Sequence, residues 1–179
     1  MANQLGFSVS QGILVLLLLI LGELAHAAVA SQPGRMQDAA AVQRGRYLVQ
    51  IGGCNDCHTQ GYAESSGAID EQRWLLGSSL GWRGPWGTTY PANLRLAVQN
   101  LSENQWLVLA RSQWRPPMPW FNLRVMNDDD LGAIYRYIRH LGPAGDQAPA
   151  YVPADRKPTT PVVTFAPPPS KHAIAGRQQ

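Results

Sequence analysis

Leu131, Ile134, Tyr137, Ile138 and Leu141 recur at intervals of three and four, which predicts an amphipathic helix with one apolar face. Asn127 ahead of Asp128, Asp129 and Asp130 supplies its cap and a first turn of carboxylates, and Leu141-Gly142-Pro143 ends it. A second helix is predicted from a cap at Asp38 to about Ile51, where Gly52-Gly53 stops it. Gly45 sits inside that helix at a cost of about 1 kcal/mol relative to alanine, which implies a packing reason. Ser102 caps a third, shorter helix from Glu103 to about Ser112, with Gln105 completing a capping box and Trp106, Leu107, Leu109 and Ala110 apolar. Between the first two lies a glycine-rich stretch, Gly77 to Gly87, holding Trp82, Pro85 and Trp86. It continues through Thr88 to Leu94 with turn chemistry and no periodicity, so the middle is expected to be loop-rich.

The two ends read differently. Ile13 to Leu21 is an apolar run followed by small residues, with Ala25-His26-Ala27 and Ala28-Val29-Ala30 both offering A-x-A cleavage sites. Nine residues fall short of the roughly twenty that span a bilayer, so residues 1–30 are expected to be an export signal. Residues 1–11 carry no Lys or Arg, and the alternative is an uncleaved anchor starting at Phe7; membrane association is expected only in that case. Residues 31–37 form a polar lead-in, and residues 142–179 are proline-rich without apolar periodicity, which predicts a disordered tail. One domain, residues 38–141, remains, near the common size of a single domain.

The net charge of +3 describes a mildly basic particle that favours acidic partners. The basic residues are scattered, which excludes a phosphate-binding patch and hence nucleic acid as a partner.

The chain's two cysteines and one of its four histidines fall in a single block, Cys54-Asn55-Asp56-Cys57-His58. Positions i, i+3 and i+4 share a helix face, so all three side chains can address one object. C-x-x-C-H is the attachment signature of a c-type haem, with two thioether bonds and a proximal imidazole. A second such block is absent, so one haem c is expected.

Together with Arg44 to Val49 (RGRYLV), Pro116 to Trp120 (PPMPW) and Asp130 to Leu141 (DLGAIYRYIRHL), the block resembles the class I, mitochondrial-type c-type cytochromes in their bacterial monohaem branch, over roughly Asp38 to Leu141. PPMPW with the aromatic middle is similar to the small cytochrome subunits of periplasmic dehydrogenases. The resemblance implies an all-α cytochrome c fold, with N- and C-terminal helices crossing around a covalent haem and a loop-rich middle. Gly45 would then let Tyr137 of the last helix approach. It implies a periplasmic location, because c-type haem is attached on that side of the bacterial membrane. The distal iron ligand is expected to be Met118, whose proline-flanked loop is stiff, with Met126 the alternative. Met36, His140 and His172 are also possible on chemical grounds. Trp82, Trp86, Tyr90, Asn93 and Arg95 are candidate cofactor-binding residues that would wall the haem or bind its propionates.

Two function classes compete. With His58 and Met118 filling both axial sites, the protein exchanges one electron and is not itself an enzyme. Its partners would be redox proteins: a dehydrogenase subunit or quinol oxidant as donor, and an oxidase or other cytochrome as acceptor. With an open or labile distal site it would be a peroxidase or a gas sensor, but no distal acid–base group is marked out. A thioredoxin-like dithiol lacks the required βαβ pattern.

Overall fold

The computed structural model describes residues 32–165. The expected export signal with its candidate cleavage sites, Ser31 and the end of the tail with His172 lie outside the described residues. The chain divides into two compact units, Met1–Ala40 and Ala41–Gln179. Of the first, only the opening of helix α1 (Gln32–Ile51) is described, so the expected lead-in is helical from Gln32. Pro33 is tolerated there because the first-turn N–H groups have no helical partner to lose.

In the second unit, α1 is followed by α2 (Cys54–His58), a short 3-10 turn (Glu71–Arg73), strands β1 (Gly81–Gly84) and β2 (Gly87–Thr89), and α3 (Leu94–Ala97). Then come α4 (Glu103–Ala110), α5 (Trp120–Val125), α6 (Asp128–Leu141) and β3 (Val162–Thr164). The caps act as expected: Asn127 accepts from the Asp130 amide at 2.7 Å, and Ser102 and Gln105 form a reciprocal capping box. Leu131, Ala133, Ile134, Tyr137 and Ile138 of α6 are buried with Leu48 and Val49 of α1, Trp74, Leu75, Val98 and Trp106.

Gly45 is where α1 meets α6. A Cβ built on it would lie 2.6 Å from the Ala133 carbonyl carbon and 2.7 Å from Cβ of Tyr137. The approach is clamped by polar contacts. The Arg44 guanidinium pairs with Asp130 at 2.8 Å, and Arg46 donates to Glu71 at 2.9 Å. Glu71 in turn accepts the Tyr137 hydroxyl at 2.8 Å. Burial, and then the Glu71 carboxylate, push the Tyr137 pKa far up, so this phenol stays a donor at any ordinary pH.

Two expectations are corrected. The glycine-rich middle is a β-hairpin, with Trp82 opposite Thr89 and Gly84 opposite Gly87, and the described residues therefore add a small sheet to the helices. Residues 142–165 of the expected disordered tail are ordered as a strap. It bridges Thr88 at Val152, with amide–carbonyl bonds of 2.7 and 3.0 Å, and ends in β3, parallel to β1. The physical reason is donor and acceptor matching. Both edges of the hairpin have backbone groups to satisfy, and the strap offers Val152 to the β2 side and β-branched Val162-Val163-Thr164 to the β1 side. Arg83 adds bonds of 3.0 Å to the Ala154 and Arg156 carbonyls.

Candidate functional site

α1 delivers the chain to the cysteine block through Gly52 and Gly53. Gly53 adopts φ 68°, a left-handed conformation in which glycine carries no Cβ penalty, and so turns directly into α2. The helical turn that results carries Cys54, Cys57 and His58 together. It is fastened from beneath by Asn55 and Thr59, both buried. The Thr59 hydroxyl donates to Asn55 Oδ1 at 2.7 Å and accepts the Leu75 amide at 2.8 Å.

His58 is oriented by the segment after the hairpin: its Nδ1 lies 2.7 Å from the Ala92 carbonyl oxygen. A carbonyl can only accept, so Nδ1 carries the proton and Nε2 keeps its lone pair. Burial lowers the imidazole pKa against the opposing pull of that carbonyl, which favours the neutral ring a metal needs. Both thiols are free. Burial pushes Cys54 up to about 11, with Asp56 adding to the rise, and burial and Asp56 raise Cys57 as well. A reactive redox dithiol shows the opposite, a depressed thiol pKa. The pair is therefore poorly suited to thiol–disulfide exchange. The donor set fits a c-type haem instead: two free thiols and a neutral, tautomer-fixed imidazole on one turn.

Met118 is half-buried in the irregular segment that follows the turn at Pro116-Pro117, just before α5. Its carbonyl accepts the Trp120 amide at 2.9 Å, and the Thr89 hydroxyl donates to the Pro116 carbonyl at 2.7 Å, tying the loop to β2. The residues leading into it, Gln113 to Pro116, line an open cleft of about 460 Å³. Met126 packs against the core beside the cap of α6, His140 is exposed at the end of that helix, and Met36 is exposed on α1.

The candidate propionate donors separate. Arg95 is buried at the C-terminal end of α6, where its guanidinium bonds the carbonyls of Leu141, Gly142 (2.5 Å) and Gln72 (2.8 Å). Helix ends leave carbonyls without partners, and a planar fork with five donors satisfies several at once. Asn93 caps α3 through Oδ1 and donates from Nδ2 to Ala144 and Asp146 at 2.8 and 3.1 Å. Tyr90 bonds Thr160 at 2.8 Å, and Trp82 lies against Phe165 with ring centroids 5.8 Å apart. In the described structure, Asn93, Arg95 and Tyr90 thus secure the strap and the end of α6. Trp86 differs: its indole N–H is buried with no partner among the described residues. The Ala92 carbonyl, the Asn55–Thr59 pair and Thr89 were missed, because a main-chain acceptor and small polar side chains leave no motif.

The chain is similar to the cytochrome c subunit of quinone alcohol dehydrogenase from Gluconacetobacter polyoxogenes and from Komagataeibacter europaeus. Each is 28% identical over 128 residues, covering 65% of this chain and 25% of the relative. The similarity relates the chain to c-type cytochromes. The chain spans about a quarter of the length of these curated relatives. No family model matches, and no solved structure gives a significant match.

Proposed function

We propose that this protein is a periplasmic one-electron carrier with a single covalent haem c, serving a dehydrogenase as its cytochrome component. The observation that carries the reading is His58, fixed by Ala92 on the same helical turn as two free thiols. Similarity to dehydrogenase cytochrome c subunits supports the partner class. A haem held there supplies an iron couple that changes by one electron.

The chain's residues do the rest. Cys54 and Cys57 would hold the group covalently, and His58 would present Nε2 to the metal while Ala92 keeps the ring from rotating. Met118 would close the opposite side, excluding water and substrate and favouring the reduced state relative to a second imidazole. Of the aromatic candidates, Trp86 is the best propionate donor, since its N–H is buried without a partner among the described residues. The fold reading goes with this: α1 and α6 pack as the terminal helices of a cytochrome c domain, with the hairpin and strap added to it.

The test uses three variants. Replacing Cys54 and Cys57 by serine should abolish the haem-linked peroxidase stain on a denaturing gel. Met118→Ala should remove the weak far-red sulfur-to-iron band, admit carbon monoxide readily and lower the midpoint potential, whereas Met126→Ala should do none of these. A wild type that binds carbon monoxide quickly and turns over peroxide would replace the carrier by a peroxidase or sensor.

A further inference from the structure

Two consecutive residues just ahead of Met118 are anchored from different parts of the fold. Pro116 is held by the hydroxyl of Thr89 on β2. Arg115 lies over the ring of Tyr151, with its guanidinium carbon 4.2 Å from the centroid. Tyr151 belongs to the strap and is itself tied down. Its hydroxyl donates to the Trp86 carbonyl at 2.7 Å, and its neighbour Val152 pairs with Thr88 in both directions. The hairpin has made room for this contact. Gly87 has φ 99°, and a Cβ there would lie 2.6 Å from the Val152 carbonyl oxygen and 2.7 Å from the Tyr151 hydroxyl. Farther along, Phe165 packs against Trp82 and Trp86 with centroids 5.8 and 5.5 Å away, and its amide bonds the Arg83 carbonyl at 2.7 Å.

A thioether–iron bond is weak, so the loop that carries the methionine must be held by other contacts if the sulfur is to stay in place. The prolines stiffen residues 116–119 internally but cannot fix the loop to the rest of the molecule. That fixing comes from Thr89 on one side and from Tyr151 on the other.

We propose that Tyr151 is a positioning residue for Met118: the strap clamps Arg115 through the Tyr151 ring and so keeps the methionine loop closed over the distal side of the haem. The inference rests on Met118 being the distal ligand. Its function is to slow the opening of the loop, which sets how readily an outside ligand reaches the iron. The strap is thereby part of what keeps the protein an electron carrier.

The experiment uses the full-length haem-bound protein with Tyr151→Leu, Tyr151→Phe and Arg115→Gln, and imidazole as the competing ligand of the oxidised form. Losing a cation–π contact and its supporting bond should raise the loop-open population about tenfold. Imidazole should therefore bind about tenfold faster to Tyr151→Leu and, with the cation–π contact alone removed, about fivefold faster to Arg115→Gln. Tyr151→Phe keeps the ring under Arg115 and should stay within about threefold of wild type. Hydrogen exchange of the Trp120 amide, which bonds Met118, should accelerate in the same two variants. Arg115→Gln removes the contact from outside the strap, so a strap that fails to order in Tyr151→Leu still leaves the question answered. Unchanged binding and exchange in both variants, with the far-red band present in wild type, would overturn the positioning role alone. If wild type lacks that band, or Met118→Ala leaves it intact, Met118 is not the ligand and both readings fall.

Discussion

Gly45→Ala puts the meeting of α1 and α6 to a quantitative test. The added Cβ would sit 2.6 Å from the carbonyl carbon of Ala133 and 2.7 Å from Tyr137 Cβ, with the Ala133 carbonyl oxygen nearer still. Two of these three obstacles are main chain, so rotamer changes give no relief, and α1 must move away from α6. Overpacking of this kind costs about 1–3 kcal/mol, and main-chain obstacles favour the upper end. Against it stands a helix-propensity gain of about 1 kcal/mol for replacing glycine by alanine. The net destabilisation is therefore about 2 kcal/mol. Because α1 runs through Gly52-Gly53 straight into Cys54, the shift also disturbs the cysteine block.

Gly132→Ala makes the same chemical change on the facing helix and should behave differently. The nearest atom to its Cβ would be Glu103 Oε1, at 2.5 Å, the tip of a flexible side chain. That carboxylate can rotate away, sacrificing a half-exposed pair with Arg136 (2.7 Å) that is worth at most about 1 kcal/mol. The propensity gain offsets this loss, and the variant should be near neutral. Thermal unfolding of the haem-bound proteins, followed by circular dichroism, separates the two. At about 4 °C per kcal/mol, where the ranges for smaller and larger domains meet, Gly45→Ala should lose about 8 °C. Gly132→Ala should stay within a few degrees of wild type. Equal midpoints for Gly45→Ala and wild type would show that the helices do not depend on close approach at this residue.

Arg95→Leu leaves the carbonyls of Leu141, Gly142 and Gln72 without their donor and should cost about 2–3 kcal/mol in urea unfolding, with the haem midpoint potential unchanged; a shifted potential at unchanged stability would return Arg95 to the cofactor. The Arg44 guanidinium beside Asp130 holds its carboxyl below the ordinary value, so the folded state releases that proton more readily than the unfolded chain. Stability from the pair is then complete above about pH 4 and is lost as pH falls through the depressed value. Asp130→Asn should therefore be less stable than wild type at neutral pH and converge with it in acid, and a gap that persists in acid would mean the effect is not ionic.

Sequence patterns were informative where structure is local or where chemistry demands a fixed spacing. The periodicity of α6, its Asn127 cap and the capping box of α4 are each contained within a few residues, and each appears in the structure as expected. Gly45 was informative for a different reason: a glycine that costs helix stability implies a close neighbour, and Tyr137 stood on the only other strongly periodic face. The hairpin was missed because Pro85-Trp86 is an unusual turn, and Thr88-Thr89 is too short a run to outweigh four flanking glycines. β3 was beyond reach on physical grounds. Its partner lies some eighty residues earlier, and parallel pairing across such a separation leaves no local trace. The same limit applies to the main-chain contacts of Asn93 and Arg95. A haem propionate and the carbonyl end of a helix are both oxygen acceptors, and both attract an arginine fork or an amide. Only the position of α6's last turn distinguishes them, and that position is a property of the packed chain.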